Sequence, residues 1–283
     1  MLYRRCYAAG LLVRGRILIR MSAAAFSVAL AERRSARFVA WCRAWRAGLS
    51  SFDDSLDAIE APPDGPAEEH IAAELPGTWS VLPLREALPH LRQLHPDEIR
   101  LTLPAPGDPD GLGPGEFTGA ALVAGEGVLA GLLGLAPQAQ EHISGSGDVF
   151  TTVRWTAYQL PAMGPLGPRP TVRHAEGELS SAVQETTSKL AKLDVARWRP
   201  ELAGAISALR RPTEADLPPG YDVPARRLYA RALLLEKVLI LAGQEAPGGS
   251  LNSFEAQQRD EALRPLATAC RRSVAAAINS PLV

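Results

Sequence analysis

Lysine is nearly missing from this chain: Lys189, Lys192 and Lys237 are its lysines, and the other 27 of 30 basic residues are arginine. Together with abundant Ala, Gly and Pro, this is the imprint of a GC-rich genome, and no specific nucleic-acid signature accompanies it. Cysteine is scarce too. Cys6, Cys42 and Cys270 have no C-x-x-C spacing, and an odd count cannot close into a disulfide framework. Free cysteine behaves as a small buried apolar residue, so the expected compartment is the reducing cytoplasm. Aromatics make up 6% of the chain, which favours helices built on Ala and Leu over an all-β architecture. No window approaches the roughly 20 uninterrupted apolar residues of a membrane span.

What is present suffices for a folded core: 46% of the 283 residues are hydrophobic, a normal share for one large or two modest domains. The net charge of −1 hides a sharp segregation. Residues 1–48 carry ten arginines against Glu32, while residues 49–78 carry eight acids and no Lys or Arg. The nearest opposite charge for each block is the other block, so mutual neutralisation is the first expectation. Residues 1–20 hold five arginines and no acid, and Met21-Ser22-Ala23-Ala24 reads as an alternative start of translation. A secretory leader ending at Ala29-Leu30-Ala31 is weighed and set aside, because its apolar run is short and Arg33 and Arg34 follow at once.

From Ser22 to Ala47 the pattern is helical, with Phe38, Trp41, Cys42 and Trp45 in one sector and arginines 33, 34, 37, 43 and 46 around it. The expected arrangement docks the aromatic face on the core with the arginines reaching outward. A second reading is contact with an anionic membrane surface through Trp41 and Trp45. Residues 49–78 read as an acidic loop or linker, whose Pro/Gly-rich part, 61–78, holds about one helical turn. A short strand over 79–84, a short helix over 85–94 and a strand over 98–103 follow, the last with Ile99, Leu101 and Leu103 on one face. A helix is expected from about Glu116 to Leu133, weakened by Gly119, Gly125, Gly127 and Gly131. The clearest strand is Val149 to Leu160, where Val153, Trp155 and Ala157 alternate with Arg154, Thr156 and Tyr158, and core packing is expected for Trp155.

Residues 161–173 read as a second linker, and helices fill the rest. Glu185 and Lys189 form an i,i+4 pair, and Pro200 opens a short helix ended by Pro212. Asp222 and Pro224 cap and start a helix to about Ala242, and a last helical region from Ser253 to Ile278 is broken or kinked at Pro265. The segments are thus 1–48 (basic helix), 49–78 (acidic linker), 79–160 (α/β), 161–173 (linker) and 174–283 (helical, sharing a core with 79–160 or separate). The expected fold is α/β or α+β: a small mixed sheet with flanking helices, followed by a helical C-terminal portion.

One loop invites a functional reading. Residues 104–116, rich in Pro, Gly and Asp, lie between a strand and a helix, where α/β proteins often hold ligands. The Rossmann fingerprint fails, since Glu116 stands three after Gly113. A phosphate loop fails for want of Gly-Lys-Ser/Thr, and a calcium loop fails with Pro106 at its first ligand position and Phe117 at its last. A rigid turn accounts for these residues. The alternative is a divalent-cation or ligand site on Asp108, Asp110 and Glu116. His174-Ala175-Glu176 lacks the Pro-Cys-x-x-Cys of zinc deaminases, and Ser144-Gly145-Ser146-Gly147 lacks the flanking glycines of a nucleophile elbow. No metal ligand set and no cofactor is implied.

Ile99-Arg100-Leu101-Thr102-Leu103-Pro104-Ala105-Pro106-Gly107-Asp108 and Val153-Arg154-Trp155 resemble a conserved family of high-GC, actinobacterial-type bacteria with no assigned activity, over roughly residues 30 to 245. The resemblance implies a bacterial, cytoplasmic origin and no site residues. The functional expectation is therefore a non-enzymatic interaction or accessory protein with a protein partner. The rival is a metal- or ligand-dependent enzyme centred on loop 104–116.

Overall fold

The computed structural model describes residues 33–62, 66–161, 170–192, 217–244 and 253–283. The alternative start at Met21, the segment from Ser22 to Glu32, Cys6, most of the 161–173 linker and the short helix after Pro200 lie outside them. Helix α1 (Arg34–Arg46) and helix α2 (Phe52–Glu60) open the described chain. Strands β1 (Glu69–Ala73) and β2 (Leu82–Pro83), the single helical turn α3 (Leu84–Ala87) and strand β3 (Ile99–Thr102) follow. Then come α4 (Glu116–Ala124), β4 (Gly127–Ala130), β5 (Leu133–Ile143) and β6 (Val149–Gln159). Three long helices close the chain: α5 (Val172–Lys192), α6 (Val223–Gln244) and α7 (Ser253–Ile278), the last assigned without a break through Pro265.

The strands form one six-stranded mixed sheet in the order β2-β1-β6-β5-β4-β3. β1 runs parallel to β6 and the other pairs are antiparallel. Registry places Trp155 beside Ala72 on one flank and Pro137 on the other, so Val153, Trp155, Ala157, His70 and Ala72 share a face. That face meets α1, whose Phe38 ring lies 4.8 Å from Trp155, and both rings are fully buried. The same buried cluster takes in Tyr221, Ala225 and Ala232 from the α6 side and Val274, Ala275 and Ile278 from α7. On the opposite face α4 seals a smaller cluster with Phe117 and Ala121 against Leu129 and Ala136. The Phe117 ring lies directly on Gly134, where any Cβ would overlap it. The outcome is an α+β fold with a helical C-terminal part, as the sequence pattern indicates.

Three expectations are corrected. The helix expected over 116–133 ends at Ala124. Gly125, at φ +73°, terminates it in the left-handed region, and Gly131, at φ +59°, occupies the first position of a two-residue turn joining β4 to β5. Residues 49–78 contain α2 and β1, not only loop. Ser51 starts α2 by accepting a hydrogen bond from the Asp54 N–H at 3.0 Å. The strand expected over 79–84 shrinks to Leu82–Pro83, leaving Trp79 fully exposed.

Candidate functional site

The arginines of α1 do not reach outward. Eight of its residues, Arg43 among them, are buried on several sides, and Trp41 and Trp45 are half-buried against the core cluster. The helix therefore has no free apolar face to lay on a membrane. Each arginine entering the interior brings its partners with it, the condition under which a buried charge is tolerated. Arg34 donates to Glu68 from Nε (2.9 Å) and Nη2 (2.5 Å), and Arg37 donates to the same carboxylate at 2.7 Å. Here the basic and acidic blocks do meet. Arg33 instead pairs with Glu236 of α6 at 2.6 Å. Arg43 donates to Asp97, Tyr221 and the carbonyls of Pro96 and Ile278, tying α1 to the C-terminal end of α7.

Glu68 anchors a relay that sequence reading missed. Trp155 Nε1–H can only donate, so at 3.2 Å it fixes His70 Nδ1 as acceptor. His70 Nε2–H then donates to Glu68 at 3.2 Å. Burial would raise the Glu68 carboxyl, but the hydrogen bonds from His70, Arg34 and Arg37 outweigh it and hold the group at about 2. Burial lowers His70 against the pull of Glu68, keeping the imidazole neutral. Both ring nitrogens are occupied and the side chain is sealed from solvent, so this chain of bonds positions α1, β1 and β6 and is closed to a substrate. Alternation around Glu68-Glu69-His70 was the available signal; it was masked by the acidic run.

Loop 104–116 gives its candidate residues different partners. Asp108 accepts from Arg271 at 2.7 Å and Arg272 at 3.2 Å, and Arg271 also donates to the Leu103 carbonyl. Burial tends to raise the Asp108 carboxyl, yet the two guanidiniums bring it below its ordinary value. Asp110 sits at φ +55° and accepts from the Leu103 N–H at 2.8 Å and the Thr102 hydroxyl at 3.0 Å. Burial raises Asp110, with those bonds opposing. Glu116 is exposed in the first turn of α4. Asp108 thus straps the loop to α7, Asp110 braces its interior, and Glu116 lies at the surface. Among the described residues no group of three His, Cys, Asp or Glu side chains could hold a metal ion. Cys42 and Cys270 are buried free thiols, and burial pushes Cys42 up to about 12, leaving it a thiol rather than a nucleophile.

Three exposed apolar residues gather instead at the end of a ribbon whose first strand, β5, is absent from the sequence reading. β4 stops pairing at Leu135 and β1 reaches only Thr152, while β5 and β6 stay paired from Leu133↔Gln159 out to Ile143↔Val149. β5 loses its outer neighbour after Leu135, and beyond Gln140↔Thr152 the two strands project alone. Pro137 stands where β4 ends, so its missing N–H costs the β5–β6 ladder nothing. At the tip Ile143 is 76% exposed, Val149 58% and Phe150 43%, with Phe150 stacked on His142 at 4.9 Å. The tip is closed by Ser144, whose hydroxyl accepts from the Asp148 N–H at 3.0 Å. Ser144-Gly145-Ser146-Gly147, set aside above as a nucleophile elbow, forms this turn.

Comparison with known proteins adds lineage. The chain is similar over 282 residues to the uncharacterised protein Rv1486c of Mycobacterium tuberculosis strain H37Rv, at 28% identity, covering 86% of this chain and 94% of that one. It is similar over 284 residues to the uncharacterised protein ML1804 of Mycobacterium leprae, at 26% identity and 86% and 95% coverage. No solved structure matches it. The family descriptions "Rv1486c-like protein, N-terminal domain" and "Rv1486c-like protein, C-terminal domain" match residues 35–173 and 173–275. With both parts present in order, this chain belongs to the Rv1486c-like protein family.

Proposed function

We propose that this protein is a non-enzymatic, cytoplasmic accessory protein that holds a protein partner on the β5–β6 ribbon. The observation that carries this reading is the projecting pair of strands with Ile143, Val149 and Phe150 exposed at its end. An isolated two-stranded ribbon is marginally stable in water, and its outer β5 edge offers unpaired backbone groups that a partner strand can complete. The buried relay and the strapped loop supply a stiff body from which the ribbon extends.

Because α1 is part of the core, removing the basic segment would unfold the protein rather than test binding. The decisive variant is the triple replacement Ile143→Ser, Val149→Ser and Phe150→Ser. Affinity capture from the native host should recover a stoichiometric partner with the wild type and lose it with the variant, while the thermal midpoint stays within a few degrees. Equal recovery by both forms overturns the reading. The rival, an enzyme on Asp108, Asp110 and Glu116, would require Arg271 and Arg272 to release Asp108. A thermal shift with divalent cations or nucleotides that Asp110→Asn abolishes would favour it.

A further inference from the structure

The corner between α1 and α2 holds a hollow of about 550 Å³ lined by Trp41, Leu49, Ser50, Ser51, Asp54 and Pro219. Its shape follows from two local events. α1 ends on Gly48, at φ +74°, with the Leu49 N–H returning to the Ala44 carbonyl. α2 then starts on Ser51, and Asp54 of its first turn lines the hollow together with Trp41. One wall is stiff: the Leu49 side chain lies where a Cβ on Gly220 would be.

The chemistry of the corner is one-sided. α2 carries Asp53, Asp54, Asp57 and Glu60 and no base. Its first aromatic–carboxylate pair is already filled from within: Arg85 stacks over the Phe52 ring at 5.7 Å and donates to Asp53 at 2.7 Å. Trp41 and Asp54 repeat that combination one residue further along α2. Asp54 Oδ2 accepts from the Ser51 hydroxyl at 2.6 Å, and among the described residues no cation touches Asp54. An aromatic face beside a carboxylate suits a guanidinium, which is planar and can stack and donate at once; an ammonium does each less well.

We propose that the Trp41–Asp54 hollow is a docking site for an arginine side chain of a partner polypeptide, with the guanidinium against the indole and paired to Asp54. The ribbon plays no part in this site, so either can fail without the other. A lone side chain should bind weakly, with a dissociation constant on the order of millimolar, and the affinity should fall with salt.

The test is a titration of the full chain, labelled at its tryptophan indoles, with N-acetyl-arginine amide and with the neutral isostere N-acetyl-citrulline amide. The Trp41 indole resonance, assigned by Trp41→Phe, should move saturably with the arginine compound and not with citrulline. The resonance of exposed Trp79 should stay fixed. Asp54→Asn keeps an oxygen for Ser51 and so preserves the start of α2; it should weaken binding about two- to fivefold, the loss of one exposed ion pair. Absence of a saturable shift, an equal response to citrulline, or unchanged affinity in Asp54→Asn overturns the proposal.

Discussion

Replacing Glu68 with Gln removes a charge while keeping its shape, and the structure fixes what should follow. The wild-type carboxylate accepts four hydrogen bonds from Arg34, Arg37 and His70. A glutamine offers one acceptor oxygen and turns an NH2 toward groups that can only donate. Burial works to raise Glu68, but these bonds and charges take it from its ordinary 4.5 down to about 2. A shift of that size corresponds to about 3 kcal/mol of folding stability. Because the folded value lies below the unfolded one, the contribution is complete above pH 4.5 and is lost as pH falls toward 2. Protonated Glu68 is nearly isosteric with Gln, so the stability gap between wild type and Glu68→Gln should follow the same curve. Urea unfolding should give a gap of about 3 kcal/mol at pH 7, flat down to about pH 5, with more than half of it gone by pH 3. A gap under about 1 kcal/mol at pH 7, or one that does not close with acid, refutes the assignment of Glu68 as the charged hub.

Other substitutions probe neighbouring parts of the structure. Gly134→Ala should lower stability by about 1–3 kcal/mol, read by thermal denaturation, because its Cβ meets the Phe117 ring. Asp110→Ala should cost about 1–3 kcal/mol by orphaning the Leu103 N–H and Thr102 hydroxyl. Asp110→Asn, which keeps an acceptor and tolerates φ +55°, should cost less than half as much in the same urea titration. Trp155→Phe should cost about 1–3 kcal/mol by removing the donor to His70 Nδ1, and amide exchange should quicken along β1 and β6 first.

The legible parts of the fold were those in which a local pattern and the tertiary context agree. Ile99, Leu101 and Leu103 alternate with Arg100 and all three are buried. Val153, Trp155 and Ala157 behave likewise, and Asp222 caps α6 by accepting from the Ala225 N–H at 2.8 Å. Glu185 and Lys189 pair at 2.7 Å. Misreading began where one residue type serves two purposes. Gly125 and Gly131 look like defects in a helix, yet each is a terminus. The outer half of β5, Gln138-Ala139-Gln140-Glu141-His142, has little β propensity and follows a proline, because it packs on β6 alone and has no core face to advertise.

The candidate sites were hidden for a related reason: every informative contact spans a long stretch of chain. Arg33 meets Glu236, Arg43 meets Ile278, Asp108 meets Arg271, and His70 meets Trp155. A helix surrounded by arginines reads as a solvent-facing amphipath only if those charges lack partners in the interior. Here the partners are supplied by β1, α6, and the chain around Asp97, and the arginines become the pins that hold α1 between the sheet and the C-terminal helices. The family's N-terminal and C-terminal parts therefore meet across Phe38, Trp155, Tyr221, Ala225 and Val274 in one buried cluster. With those charges turned inward and the two parts sharing that interior, the features on which binding is proposed lie at the margin: a bare pair of strands with an apolar tip, and an acidic corner beside a tryptophan. Such features carry little periodicity and no spaced motif, so they become visible only once the register of β5 against β6 and the corner between α1 and α2 are in place.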